Sequence, residues 1–329
     1  MVSIQYMRAA AAVAVVLAHA SGALLGNAGV DIFFVISGFI MWTITETPMR
    51  PRTFLWHRLI RIVPLYWTAT LVMAWHQGAS KTAVVSSLLF MPYFGEQGRI
   101  WPVLVPGWTL NYEMFFYVLV GVSLVISRRP NALRLLAAIL CILSFSRLFY
   151  ASDDPILLTY TNPIILEFLA GIIIAELRFR SLLPQVPSAI LLILLGIAGF
   201  WFSPLHDSTD IYRFIWWGVP SLLVIAGIVS LEAHNRMIRS TILGALGDAS
   251  YSIYLCHTFM VKMVLHEFSA LPAVAGITAA LVVACSLGLF VFRFLERPAT
   301  AWLRSFANHE GNARSIRSRQ GILVPNPRS

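Results

Sequence analysis

About ten apolar stretches, of which 188–203 is the weakest, have roughly the length that crosses a bilayer as helix, and they limit the fold of this chain more than any single residue does. A helix rises ~1.5 Å per residue, so roughly 17–25 apolar residues span the hydrocarbon core. Segments of this kind occupy 4–25, 28–46, 58–76, 103–127, 132–150, 160–177, 188–203, 211–231, 245–267 and 272–295. Polar or proline-bearing links separate them, such as TPMRPR at 47–52, SRRPN at 127–131, FRSLLPQVPS at 179–188, SPLHDSTD at 203–210 and EAHNRMIRS at 232–240. With 58% hydrophobic and 12% charged residues, the composition lies far from that of a soluble domain. The expected fold class is all-α: a polytopic integral membrane protein of about ten transmembrane helices.

The net charge of +9 does not point to nucleic acid, because the basic residues lie between apolar runs and are not interleaved with aromatics on a polar domain. Orientation explains them. With both termini cytoplasmic, only Lys81, Arg99, Arg147, Arg213 and Lys262 of the 24 Lys and Arg residues fall on the outer side. AHA at 18–20 has the form of a signal-peptidase site, but the charged region before it is poor, and cleavage would invert the bias of the first retained helix. The first helix is therefore read as retained. Residues 1–298 form one transmembrane unit, and 299–329 a short helix followed by a disordered basic cytoplasmic tail that can touch anionic membrane lipid. Cys141, Cys256 and Cys285 lie far apart with no metal-ligand spacing, so neither a disulfide framework nor a metal site is expected.

Ionisable groups inside apolar spans are costly and mark function. In RAAAAVAVVLAHASG, at 8–22, Arg8 and His19 stand eleven residues apart. That spacing is about three turns and ~16 Å of depth, so one face carries both, Arg8 near the cytoplasmic end and His19 towards the outside. GVDIFFVISGF at 29–39 opens the second span with Asp31 at the depth of His19, where a carboxylate can orient the imidazole and raise its basicity; it can equally cap its own helix. Gly29 and Gly38 permit close packing. FLWHRLIRIVPLYW at 54–67 brings Arg58 and Arg61 to one face, next to Pro64 and Tyr66, and with Arg8 they make a basic layer suited to phosphates. PGWTLNYEMFFY at 106–117 carries Glu113 into the membrane with Tyr117 one turn on. In LGDASYSIYLCHTF at 246–259, Ser250, Tyr254 and His257 share a face, and Tyr251 and Tyr254 read as glue between helices.

Taken in order, the R…H helix, GVDIFFVISGF, HRLIRIVPLYW, GWTLNYEMFFY, GDASYSIYLCHTF and a closing FLERP resemble membrane-bound acyltransferase family 3, the group that includes exopolysaccharide and O-antigen acetyltransferases. The resemblance covers nearly all of 1–298. It implies a multi-pass enzyme of the bacterial inner membrane that moves an acyl group, usually acetyl from acetyl-CoA, to a hydroxyl of a glycan or lipid-linked saccharide, alongside polysaccharide biosynthesis proteins. No bound cofactor is implied; acyl-CoA is a co-substrate. On matching positions the resemblance implies His19 as catalytic base and Arg8, Arg58 and Arg61 as acyl-CoA contacts, with Glu113 as a structural or catalytic acid. Asp31 joins the catalytic set on the depth argument, and Tyr117 and His257 join the substrate contacts. Thr109 replaces the serine more usual in that motif. No hydrolase-like domain of the kind some members carry is present in these residues, so transfer is expected to be completed within the membrane unit or by a separate partner. The competing class is a glycolipid transporter in which Arg8, His19, Asp31 and Glu113 relay protons, but paired inverted halves with broken helices are not seen.

Overall fold

A computed structural model describes residues 1–47, 49–95, 98–126, 129–149, 152–204, 212–270 and 272–305. Thirteen α-helices are present among them and no strand. They are α1 (Val2–Ser21), α2 (Gly29–Ile44), α3 (Pro51–Gln77), α4 (Lys81–Leu88), α5 (Gly107–Ile126), α6 (Arg129–Ser146) and α7 (Pro155–Tyr160). The second half adds α8 (Leu166–Phe179), α9 (Val186–Trp201), α10 (Val219–Ala233), α11 (Thr241–Asp248), α12 (Ser250–Glu267) and α13 (Ala273–Val291). Two π turns, Phe214–Gly218 before α10 and Phe292–Glu296 after α13, and two 3₁₀ turns, Leu24–Ala28 and Pro163–Ile165, complete the order.

Helix coincides with each of the ten apolar stretches, with two internal breaks. The stretch at 245–267 divides at Ala249 into α11 and α12, and the one at 160–177 opens on the last residue of α7 and passes through the 3₁₀ turn Pro163–Ile165 into α8. Five helical runs are long and apolar enough to cross a membrane: Val2–Ser21, Leu24–Ile44, Gly107–Ile126, Phe214–Ala233 and Ala273–Ser305. Asn131–Ser146 and Val186–Trp201 are shorter apolar helices. The last run continues to Ser305, and the tail from 306 lies outside the described residues.

Small residues place α1 at the centre. It packs on α2, α10, α11, α12 and α13, and Ala9, Ala11 and Ala12 are buried on it at 1% exposure or less. A run of alanines lets neighbouring backbones approach where leucine would hold them apart. Gly29 turns its bare Cα to α1, where a Cβ would collide with the Ala11 carbonyl. Gly38 and Gly171 do the same between α2 and α8: a Cβ on Gly38 would strike the Phe168 carbonyl, and one on Gly171 the Val35 carbonyl. Gly22, in the left-handed region at φ 71°, ends α1 and returns its N–H to the Ala18 carbonyl. That stop releases the chain into the 3₁₀ turn that leads into α2.

The core between these helices holds Trp42, Trp217, Tyr66, Phe39, Phe116 and Phe168, all below 2% exposure. Large apolar side chains also cover the outside, with Trp75 at 87% and Phe149 at 88% exposed. A water-soluble surface does not present so many, whereas lipid accepts them.

Candidate active site

A cavity of about 100 Å³ opens among α1, α2, α3, α5 and α12, and the expected basic layer lies on its wall. Arg8, Arg58, Arg61, Glu113 and Tyr117 all line it, joined by Ser37, Thr109, Tyr251 and Tyr254. Helical spacing delivers this convergence. Arg58 and Arg61, three apart on α3, face Glu113 and Tyr117, four apart on α5, with Arg8 arriving from α1.

Glu113 is the fixed acceptor of the cavity. Its Oε1 receives the Tyr117 hydroxyl and, at 3.1 Å, the Ser37 hydroxyl from α2. The arginines are less engaged: Arg8 Nη1 donates to Gln5 Oε1 at 3.3 Å, and Arg58 Nε is buried with no hydrogen-bond partner. A guanidinium donor left open beside a cavity is available to an anionic ligand. Glu296, in the π turn after α13, accepts from Ser252 Oγ at 2.6 Å and lies within electrostatic reach of Arg8 and Arg61. On the cavity wall itself, three arginines stand against one carboxylate, Glu113.

His19 does not line this cavity. It is exposed, and its Nδ1 lies 2.8 Å from the Val15 carbonyl one turn back on α1. Its ring meets the His257 ring at 4.8 Å between centroids and 63° between planes. His257 in turn touches the Tyr254 ring at 6.0 Å, and the Tyr254 hydroxyl sits 3.0 Å from Thr109 Oγ1 and 3.2 Å from the Pro106 carbonyl. A continuous run of contacts thus leads from the cavity wall through Tyr254 and His257 to His19. His257 is wholly buried and stands behind the cavity wall, not on it. Tyr251 and Tyr254 do join helices, Tyr251 by donating to the Ile62 carbonyl on α3 at 2.8 Å.

Asp31 is the clear correction. Its carboxylate takes two hydrogen bonds from Arg213, Nε to Oδ1 at 2.9 Å and Nη2 to Oδ2 at 2.7 Å, instead of orienting His19. The reason is azimuth. Gly29 faces α1, and Asp31, two residues on, is turned ~200° around the helix and so points away from α1. Arg213 also donates to the Asn27 carbonyl at 3.1 Å and stacks over Trp217 and Trp108 at 4.8 and 5.6 Å. Glu167 of α8 is fully buried beside this pair.

Sequence reasoning passed over four polar groups: Ser37, Glu167, Arg213 and Glu296. Glu167 carried a readable signal, an acid within the apolar run PIILEFLAG. Arg213 had the appearance of a residue at the outer end of a span, and Ser37 of an ordinary small residue beside Gly38.

Residues 1–293 match the acyltransferase domain of acyltransferase family 3. The chain is 39% identical over 293 residues to the exopolysaccharide production protein ExoZ of Rhizobium meliloti (strain 1021), covering 83% of this chain and 89% of that protein. It is 27% identical over 278 residues to BcsY of Komagataeibacter xylinus, whose name describes a membrane-bound transacylase, covering 76% and 70%. A third relative is the acyltransferase MdmB of Streptomyces mycarofaciens, 24% identical over 281 residues, covering 72% and 69%. No solved structure matches. A basic cavity inside an all-helical apolar bundle and a family match over 293 residues agree: this chain belongs to acyltransferase family 3 and is a membrane acyltransferase.

Proposed function

We propose that the enzyme transfers an acyl group, acetyl from acetyl-CoA, to a hydroxyl of an exopolysaccharide or other cell-surface glycan, as a lipid-linked saccharide or finished polymer. The cavity walled by Arg8, Arg58 and Arg61 carries this reading, because an acyl-CoA donor brings several phosphates and the wall offers three guanidinium groups, with Arg58 Nε unspent. The name of the exopolysaccharide production protein, 39% identical, supports the glycan acceptor. The charge bias of the links supports both termini inside, a ten-span bundle in the bacterial inner membrane and an arginine layer facing the cytoplasm, where acyl-CoA is made.

Each residue then has a task. The arginines bind the nucleotide phosphates, and Glu113, held by Tyr117 and Ser37, offsets part of their mutual repulsion. The pantetheine arm covers the ~16 Å of helix between Arg8 and His19. His19 donates its Nδ1 proton to the Val15 carbonyl, which leaves Nε2 as the basic nitrogen. It takes the proton of the acceptor hydroxyl as that oxygen attacks the thioester carbonyl; the C–S bond breaks, and His19 returns the proton to the CoA thiolate. Residues 1–298 hold this chemistry, and polysaccharide biosynthesis proteins supply the acceptor.

The test uses inside-out vesicles containing the cell's lipid-linked glycans and labelled acetyl-CoA, with wild type and His19→Ala at equal membrane levels. Labelled glycan matched by free CoA, and lost in His19→Ala by about 100-fold or more, is expected. Equal labelling in both removes His19 from the chemistry. Glycan movement without CoA release favours a transporter.

A further inference from the structure

The two imidazoles that meet at 4.8 Å each have a tautomer set by their own helix. His19 Nδ1 faces the Val15 carbonyl at 2.8 Å, and His257 Nδ1 faces the Tyr254 carbonyl at 2.6 Å. A carbonyl oxygen only accepts, so in each neutral ring Nδ1 carries the hydrogen and Nε2 keeps a lone pair. The two histidines differ in what surrounds that lone pair. His19 is exposed and open to substrate, whereas His257 is 0% exposed and its Nε2 is buried with no hydrogen-bond partner. A buried acceptor without a donor is costly in the resting protein, and a catalytic role is one reason such an atom is kept. Packing alone does not require it, since a phenylalanine ring would fill the same space.

We propose that His257 is a positioning residue for acyl transfer: its neutral ring, in contact with the His19 ring and unprotonated at Nε2, stabilises the positive charge that His19 acquires with the hydroxyl proton. The inference rests on His19 being the base. When the acceptor O–H bond breaks, an N–H bond forms at His19 Nε2 and the oxygen's electron pair makes the new C–O bond. The C–S electrons leave on the CoA sulfur, which takes the proton back from His19. His257 stays neutral and ends unchanged. Its partial negative charge, fixed in a buried position, favours the imidazolium more than the resting ring. Because His257 stands behind the wall of the arginine cavity, it acts on turnover and leaves donor binding alone.

Three variants of the full chain in native membranes separate charge from shape, read as kcat and KM for acetyl-CoA at matched membrane levels. His257→Phe keeps a ring and removes both nitrogens; His257→Asn keeps a donor for the Tyr254 carbonyl and removes the Nε2 acceptor; His257→Gln places an amide oxygen near the Nε2 position. The inference expects kcat to fall about tenfold or more in the Phe and Asn variants, with KM within about threefold of wild type, and to recover in the Gln variant. A Phe variant with wild-type kcat, or a Gln variant worse than Phe, overturns it in favour of packing; if Phe does not accumulate, Asn against Gln decides alone. His19→Ala in the same assay keeps the two readings apart. Full activity there defeats the base and this inference together, while an inactive His19→Ala beside a fully active His257→Phe defeats this inference only.

Discussion

Two sets of charged side chains lie inside this bundle, and they are built in opposite ways. Around Asp31 one charge pair has been closed off: a bidentate guanidinium pair, two indole rings over it, and 0% and 2% exposure for Asp31 and Arg213. Around Glu113 the charges face a cavity whose wall carries three arginines to one carboxylate, and Arg58 keeps an unused donor. A closed pair costs its desolvation and returns it as geometry, tying the start of α2 to the start of α10. An open set with surplus charge awaits a ligand of opposite sign. The surplus of guanidinium on the cavity wall is what separates the two sets.

That comparison breaks most visibly at Arg213. Arg213→Ala leaves Asp31 buried without its cation and is expected to destabilise the protein by ~3–5 kcal/mol, seen as lost membrane accumulation and a lower midpoint of thermal unfolding in detergent. The double change Asp31→Asn with Arg213→Met removes both charges and is expected to restore most of that loss. If the double variant unfolds as readily as the single one, the pair does more than fasten helices.

The glycine contact beside the closed pair comes next. Gly38→Ala drives a methyl into the Phe168 carbonyl and should cost ~1–3 kcal/mol in the same unfolding measurement, with KM for acyl-CoA unchanged in the protein that remains. Smaller still is Ser37→Ala, which removes one of the hydroxyls on Glu113. A loss of ~1 kcal/mol in stability is expected, together with an altered KM, because Glu113 belongs to the open set. A Ser37→Ala enzyme with both quantities at wild-type values would detach Glu113 from donor binding.

How far these two sets were legible in the sequence differs for a physical reason. Arg58 with Arg61, and Glu113 with Tyr117, sit one helical turn apart within their own helices, so local periodicity alone puts each pair on one face. Depth was equally readable, since Arg8 and His19 share one helix and a fixed rise per residue. Azimuth between helices was not. Asp31 lies at the expected level yet turns away from His19, because Gly29 is the residue that meets α1, and only tertiary packing chooses which of two neighbours faces inward. Arg213 was hidden for a similar reason, as a guanidinium at the end of an apolar run reads as an anchor until its partner across 182 residues is seen. The break at Ala249 between α11 and α12 lies within the polar string GDAS, a local signal that the surrounding hydropathy masked.

The central claim is that the open set, and not the closed one, takes the anionic donor. The most direct measurement is the Kd of a non-hydrolysable acetyl-CoA analogue for the purified protein in lipid nanodiscs, comparing wild type, Arg58→Ala and the Asp31→Asn/Arg213→Met double variant. The account expects Arg58→Ala to weaken binding about tenfold, equivalent to ~1.4 kcal/mol, while the double variant binds as wild type does. Unchanged binding in Arg58→Ala, or binding lost only in the double variant, would contradict it.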